Sequence, residues 1–170
     1  MNKYAQETLI YFTGILGGLT ILYGITQTSP TFYFVFGSAC LLVTALYHKL
    51  TYFIALELIL MAGHGAILLG IGTVSQIVLP ILLCVQLLTY YLLSGQLNNI
   101  FLFIGIIGTA LLSIGFSYTN QWIFFLGSLA VAIYSFFKVH QGIRIAFLWG
   151  ALNTVFVVVA LYKLFGATYG

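Results

Sequence analysis

The stretch that decides the fold of this chain is GSLAVAIYSFFKVHQGIRIAFLWGALNTVFVVVALYKLFG, residues 127–166. Two apolar segments flank a basic turn, and the second segment contains Trp149 and Asn153. The basic residues of the turn are Lys138, His140 and Arg144. Apolar runs such as 155–161 do not alternate with polar residues, so the pattern predicts two helices rather than strands of a β-barrel.

Composition indicates that these helices lie in a lipid bilayer. Of the 170 residues, 62% are hydrophobic and 4% are charged, whereas about a quarter of the residues of a soluble domain are charged. Five lysines and arginines and two acids cannot solvate the surface of such a chain. We therefore predict an all-α integral membrane protein. Cys40 and Cys84 stand in apolar surroundings and are expected to be small buried hydrophobes rather than a disulfide.

An earlier stretch, 37–70, has the same layout 90 residues upstream and reads GSACLLVTALYHKLTYFIALELILMAGHGAILLG. The aligned positions are Gly37 with Gly127, Tyr47 with Phe137, and His48–Lys49 with Lys138–Val139. This alignment sets Gly63–His64 level with Asn153. Three glycines also precede three others by 91 residues, and these pairs are Gly14 and Gly105, Gly17 and Gly108, and Gly24 and Gly115. The pattern predicts an internal duplication, with the glycines as surfaces for close helix approach.

Seven membrane-spanning helices are predicted, each suited to a hydrocarbon core of about 30 Å. Their ranges are 8–26, 31–47, 50–72, 75–93, 100–116, 121–137 and 143–165. Ser29 is expected to cap the second helix, with Pro30 at its first position. The duplication groups the helices into two parallel three-helix bundles, 8–72 and 100–165, joined by a linker helix at 75–93. The whole chain, 1–170, is expected to form one membrane domain.

Cationic residues predict the orientation of these helices. With seven spans, four cations fall on one face of the membrane and Lys163 falls on the other. The four are Lys3, Lys49, Lys138 and Arg144. Because positive charge concentrates on the cytoplasmic side, we expect the N-terminus inside and the C-terminus outside. The expected location is a bacterial inner membrane, which the chain crosses in several passes.

The arrangement of three helices, one linker and three helices resembles that of the SWEET sugar transporters and the PnuC vitamin transporters. In detail, 127–162 is similar to YgjV-type bacterial inner-membrane proteins, which share a helix, a basic turn with glycine and arginine, and an aromatic-rich helix. The Pro-Gln pair of the PQ-loop relatives is absent, and the helices 8–26 and 100–116 contain no proline. The resemblance therefore implies a small-solute transporter fold, without a particular sugar or vitamin as its substrate.

Polar side chains at membrane depth are the candidates for solute binding. Asn153 offers two donors and two acceptor lone pairs, and Trp149, one turn earlier, offers a stacking surface. The resemblance to SWEET proteins implies a pocket-lining Asn on the third helix of each bundle, a place that Asn153 matches. His64 stands at that level in the first copy, and Gln86 on the linker helix is a weaker candidate. The alternative is that these groups only form hydrogen bonds between helices.

Glu57 is the only acid that follows the first seven residues. It lies seven residues before His64, on the same face of the predicted helix. One interpretation is a proton-responsive pair. The other is an ion pair between Glu57 and either Arg144 or Lys138, which would join the two bundles. Two ligands do not supply the four that zinc needs, so no metal or cofactor is predicted.

These features together predict a transporter or facilitator of a small polar solute, with its site between the bundles. The alternative function is a non-transporting membrane subunit or scaffold, and a capture component of a vitamin importer also stays open. An enzyme is not expected, because an intramembrane lipid-cleaving site needs several acids. Five cations cannot form a nucleic-acid surface. The expected partners are the lipid bilayer and the solute, and a homo-oligomer is left open.

Overall fold

The computed structural model describes residues 2–97, 99–118 and 120–166. Within these ranges the chain forms seven α-helices and one 3₁₀ turn, without a β-strand. The helices are α1 (Lys3–Gly24), α2 (Thr31–Tyr47), α3 (Thr51–Leu68), α4 (Thr73–Leu93), α5 (Ile100–Tyr118), α6 (Gln121–His140) and α7 (Phe147–Phe165). The 3₁₀ turn, Arg144–Ala146, leads directly into α7.

Six of these helices are long and apolar enough to cross a membrane. The seventh, α2, has 17 residues, which at about 1.5 Å per residue gives roughly 26 Å, against a hydrocarbon core of about 30 Å. The helices also present many large apolar side chains on the outside of the protein. On α4 these are Val74, Val78, Leu79, Ile81, Leu82, Val85, Leu92 and Leu93. Such a surface suits lipid rather than water.

Several helix ends differ from the predicted ones. Pro30 precedes α2 rather than opening it, and no side chain caps this helix. The helix α3 ends at Leu68, before the predicted 72. The helix α6 continues to His140, past its predicted end at 137. Lys138 therefore belongs to the last turn of α6 and not to the connection that follows it. The helix stops only where Gly142 takes a left-handed conformation, with φ of 91°, because glycine adopts that conformation without steric cost.

The chain divides into two compact units, Met1–Gln76 and Ile77–Gly170, with the division inside α4. The predicted three-helix segments 8–72 and 100–165 each fall within one unit. In both units the middle helix packs against the other two: α2 against α1 and α3, and α6 against α5 and α7.

Glycines bring the first two helices of the first unit together. A Cβ atom on Gly17 would lie 2.7 Å from the carbonyl oxygen of Gly37, and one on Gly24 would lie 3.2 Å from the Cε1 of Phe34. Gly24 follows Gly17 on α1, but it contacts a residue of α2 that precedes Gly37. The two helices therefore run antiparallel. The backbones approach closely because no side chain separates them.

The second unit repeats this contact with equivalent residues. A Cβ atom on Gly108 would lie 3.1 Å from the carbonyl oxygen of Gly127, and one on Gly115 would lie 2.7 Å from the Cα of Phe124. The prediction that the glycines of the first helix of each copy are surfaces of close approach is confirmed at these positions and is wrong at Gly18, where a Cβ atom would meet no atom within 4 Å.

Both units bury matching positions along their first two helices. Each buried residue described in α1 has a buried counterpart in α5 91 residues later, and each one in α2 has a counterpart in α6 90 residues later. The buried residues of α1 are Gly14, Gly17, Gly18, Ile21 and Gly24, and those of α2 are Phe34, Gly37, Ser38, Leu41, Thr44 and Ala45. The packing of these helices thus confirms the offsets read from the sequence.

The third helices match at a different offset, which corrects the sequence alignment. The connection before α3 places Lys49 in the left-handed region with φ of 54°, and Gly142 holds this place before α7. The amide of Leu50 then donates to the Ala45 carbonyl, and that of Ile143 to the Lys138 carbonyl, both at 3.0 Å. These counterparts are 93 residues apart because α6 has 20 residues and α2 has 17. The pairing of His48–Lys49 with Lys138–Val139 is therefore wrong.

Candidate functional site

The corrected offset changes which residues are equivalent at the candidate site. From Tyr52 to Gly63, each buried residue of α3 has a buried counterpart 93 residues later. The pairs are Tyr52 with Ile145, Phe53 with Ala146, Leu56 with Trp149, Glu57 with Gly150, Ile59 with Leu152, Leu60 with Asn153, and Gly63 with Phe156. The counterpart of Asn153 is thus Leu60, and the prediction that Gly63–His64 stands level with it is wrong.

Asn153 and Trp149 lie together on α7 in the second unit. Their side chains are 2% and 1% exposed. The amide Nδ2 of Asn153 donates to the backbone carbonyl oxygen of Trp149 at 2.9 Å. This bond within one turn of the helix fixes the amide side chain against its own backbone.

The other half of the Asn153 amide has no hydrogen-bond partner among the described residues. Its Oδ1 atom is buried and accepts no hydrogen bond from the described residues. A buried acceptor without a donor costs about 1–3 kcal/mol. This cost indicates that the acceptor serves something other than the stability of the helix.

Ser128 on α6 is a second buried polar group of the same kind. Its side chain is 0% exposed, and its Oγ atom has no hydrogen-bond partner within the described ranges. Sequence reasoning used the Gly127–Ser128 pair only to align the copies and missed this serine as a site residue. The sequence signal for Ser128 was its position next to Gly127. A glycine at a close helix contact places the neighbouring hydroxyl inside the protein.

His64 and Glu57 lie on α3 in the first unit, with side chains 4% and 1% exposed. The ring centroid of His64 is 4.9 Å from that of Phe34. In the second unit the rings of Phe124 and Phe156 are 5.3 Å apart, at nearly the same tilt. Gly63, the counterpart of Phe156, has no side chain, and its neighbour His64 supplies the ring instead. The imidazole therefore packs in a place that an apolar ring fills in the second unit.

The remaining candidates occupy less buried places in the second unit. Gln86 on α4 is exposed, so burial does not group it with Asn153. Lys138 donates from Nζ to the Oε1 atom of Gln141 at 3.0 Å and lies 5.7 Å from the ring centroid of Tyr134. Arg144 is exposed in the 3₁₀ turn. An ion pair between either cation and Glu57 stays a prediction.

Metal-ligating side chains are sparse in the part of the chain that the structure describes. There, His, Cys, Asp and Glu form no group of three or more that could hold a metal ion. Comparison of the chain with protein-family models, curated proteins and solved structures found no match.

Proposed function

We propose that this chain is a bacterial inner-membrane transporter or facilitator of a small polar solute, of the SWEET-like and PnuC-like kind and similar in pattern to YgjV-type proteins. The observation that supports this function is the buried acceptor of Asn153. A helix that must cross hydrocarbon gains nothing from an amide with an unused oxygen. A passing solute that donates a hydrogen bond gives the oxygen a partner for part of each cycle.

Trp149 gives this site an apolar wall. Its indole is buried one turn before Asn153, and the Nδ2 bond of Asn153 ties the two residues to each other. An aromatic wall beside one polar group is a common composition for a small-molecule site, since the wall excludes water and the polar group orients the ligand.

The duplicated helices suit the motion that a transporter needs. In transporters built from parallel repeats, alternating access is largely a rigid-body movement of one repeat against the other. Each unit here has a glycine-packed helix pair whose backbones touch at several points. Such a pair resists internal deformation, so that the first two helices of each unit would move as one body.

The other candidates have secondary roles in this proposal. His64 and Gln86 would add polar contacts along the solute path. Glu57 would either exchange protons with the solution or pair with Arg144 or Lys138 to hold one state of the cycle. Each of these roles predicts a loss of transport rather than a loss of folding when its side chain is replaced.

Uptake into liposomes tests the proposal. The purified protein is reconstituted, and uptake of a panel of radiolabelled neutral solutes is compared between the parent and Asn153→Ala and His64→Ala variants. We expect at least one solute to enter faster than in protein-free liposomes, with Asn153→Ala reducing that rate about tenfold, the value of one hydrogen bond of about 1.4 kcal/mol. Thr154→Val is the matched control, because the Thr154 hydroxyl donates to the carbonyl of Gly150 at 2.8 Å and is exposed.

Two results would contradict the proposal. An identified solute whose uptake is unchanged by Asn153→Ala would remove Asn153 from the path. A stoichiometric protein partner in a mild-detergent pulldown, together with no uptake of any solute, would favour a non-transporting membrane subunit.

A further inference from the structure

The helices α6 and α7 of the second unit run antiparallel, and two ring contacts fix their register. The rings of Phe124 and Phe156 are 5.3 Å apart, and those of Phe136 and Phe147 are 6.1 Å apart. Phe136 follows Phe124 on α6, whereas its partner Phe147 precedes Phe156 on α7. These two contacts show which residues of α6 and α7 lie at the same height along the helix pair.

This register brings Ser128 and Asn153 to the same level. Ser128 follows Phe124 by four residues on α6, and Asn153 precedes Phe156 by three residues on α7. Residues three or four apart lie on the same face of a helix. Both polar side chains therefore stand about one turn from the Phe124–Phe156 contact, in the same direction along the pair and on the faces that meet there.

Neither Asn153 Oδ1 nor Ser128 Oγ has a partner in the described part of the protein. Other hydroxyls on these helices bond to their own backbone: Ser135 donates to the Val131 carbonyl and Thr154 to the Gly150 carbonyl, each at 2.8 Å. A helical serine has that option at every position. Ser128 does not take it.

The fold itself does not need the amide of this pair. Ser38 is the counterpart of Ser128 in the first unit, and Leu60 is the counterpart of Asn153. The same helix packing is thus built with an aliphatic side chain at the place of the amide. A requirement of the architecture would apply to both units, so the amide in the second unit has another cause.

We infer that Ser128 and Asn153 form a hydrogen-bonding position inside the second unit for a small uncharged ligand that donates a hydrogen bond. This inference deepens the proposed function, since it names a new residue of the site and the chemical class of the solute. The ligand donates a hydroxyl or amide hydrogen to Asn153 Oδ1, and Ser128 Oγ accepts from it or donates to it.

Charge argues against an ionic ligand at this position. No acidic residue follows Glu57 in the sequence, so the unit Ile77–Gly170 has no side-chain carboxylate to balance a cation. The nearest cation on α6, Lys138, follows Ser128 by ten residues, which is about 15 Å along the helix. An anion at the level of Ser128 would therefore have no counter-charge on that helix. A neutral ligand needs none.

Thermal unfolding of the purified protein in detergent tests whether Ser128 Oγ lacks a protein partner. Ser128→Ala removes only this oxygen, and Ser135→Ala is the matched control, equally buried on the same helix but with its hydroxyl paired. We expect Ser128→Ala to unfold at the parent temperature or above, and Ser135→Ala to unfold below it. A larger fall for Ser128→Ala than for Ser135→Ala would overturn the inference, since the hydroxyl would then have a partner within the protein.

Fluorescence of Trp149 tests the ligand class. The chain has two tryptophans, so a Trp122→Phe background leaves Trp149 as the single reporter, one turn from Asn153. Glycerol and acetamide serve as neutral donors, and methylammonium and acetate as charged probes. We expect a saturable change with at least one neutral probe and none with the charged ones, and an affinity about tenfold lower in Ser128→Ala and in Asn153→Leu.

Three outcomes of this titration would overturn the inference. The first is the lack of a saturable response to any probe, which leaves an internal water as the only occupant. The second is an equal response to charged and neutral probes. The third is an unchanged affinity in both variants. Failure of the proposed function is separable from these. Saturable binding without liposome uptake removes transport and keeps the position, whereas uptake that is indifferent to Ser128→Ala removes the position and keeps transport.

Discussion

Asn153 of α7 occupies in the second unit the position that Leu60 of α3 occupies in the first, 93 residues earlier. Both side chains are buried, and each lies three residues before the next matched pair, Gly63 and Phe156. One architecture therefore holds an amide in one copy and an aliphatic side chain in the other. The helix packing thus requires a buried side chain at this position but not an amide, which only the second unit has.

The first prediction places an amide in the copy that lacks one. Leu60→Asn should lower the free energy of unfolding by at least about 1–3 kcal/mol, because it buries an amide and removes apolar contacts. Thermal unfolding in detergent measures the effect. Leu60→Met is the control and should cost less than about 1.5 kcal/mol. A Leu60→Asn variant as stable as the parent would show that this place accommodates an amide without any ligand.

The second prediction concerns the glycines between the first two helices of each unit. A Cβ atom on Gly127 would lie 2.7 Å from the Cα of Leu112 on α5, so Gly127→Ala must push the two backbones apart. We expect a loss of about 1–3 kcal/mol in unfolding free energy. Gly18→Ala is the matched control, since a Cβ there meets no atom within 4 Å. It should be neutral or slightly stabilising, because alanine favours a helix over glycine. Equal losses in the two variants would contradict the contact.

The third prediction concerns the start of α6. The Asn120 side chain accepts hydrogen bonds from the backbone amides of Trp122 and Ile123, at 3.1 and 3.2 Å. Removing this cap with Asn120→Ala should cost about 0.5–2 kcal/mol. Asn120→Asp keeps the accepting oxygen and should unfold within a degree or two of the parent. If Asn120→Asp fell as far as Asn120→Ala, the cap would not be the source of the effect.

The fourth prediction uses the matched turns before α3 and α7. Lys49 has a positive φ where its counterpart is Gly142, and an L-residue in this region costs about 1 kcal/mol. Lys49→Gly should therefore raise the unfolding temperature. Lys49→Ala retains the Cβ atom and should give no such gain, which separates backbone strain from the loss of the charge. A stabilising Lys49→Ala would assign the effect to charge.

The fifth prediction concerns the topology, and it depends on α2 crossing the membrane with 17 residues. In a Cys40→Ala and Cys84→Ala background, Ser29→Cys should react with a membrane-impermeant maleimide on spheroplasts. Lys49→Cys and Gln141→Cys should react only after permeabilisation, since the positive-inside rule places them in the cytoplasm. Labelling of Ser29→Cys and Lys49→Cys from the same side would show that α2 does not span the bilayer.

Helix identity followed closely from composition and pattern. The range of α2 was predicted to the residue, and the other helices differ from their predicted ends by a few residues. Hydropathy decides these elements locally, since a backbone in hydrocarbon must satisfy its own hydrogen bonds. The glycine pairs were also readable, because a missing side chain at a repeated position marks a close backbone approach.

The register of the third helices was not readable from the aligned residues. It depends on where α6 ends, and that end is decided by the left-handed conformation at Gly142 rather than by the basic residues before it. Three further helical residues shift every later counterpart, including the one assigned to Asn153. Gly142 is visible in the sequence. That it corresponds to Lys49 became clear only from the left-handed conformation that the two residues share.

By itself, the sequence determined that this chain forms apolar helices suited to a bilayer and that its first two helices recur with glycine contacts, because hydropathy and the absence of a side chain are local properties. Only the tertiary structure decided that Leu60 is the counterpart of Asn153, and that Asn153 Oδ1 and Ser128 Oγ are buried without a hydrogen-bond partner in the described ranges. Hydrogen-bond satisfaction depends on helix length, register and neighbouring side chains together, and none of these is a property of one residue.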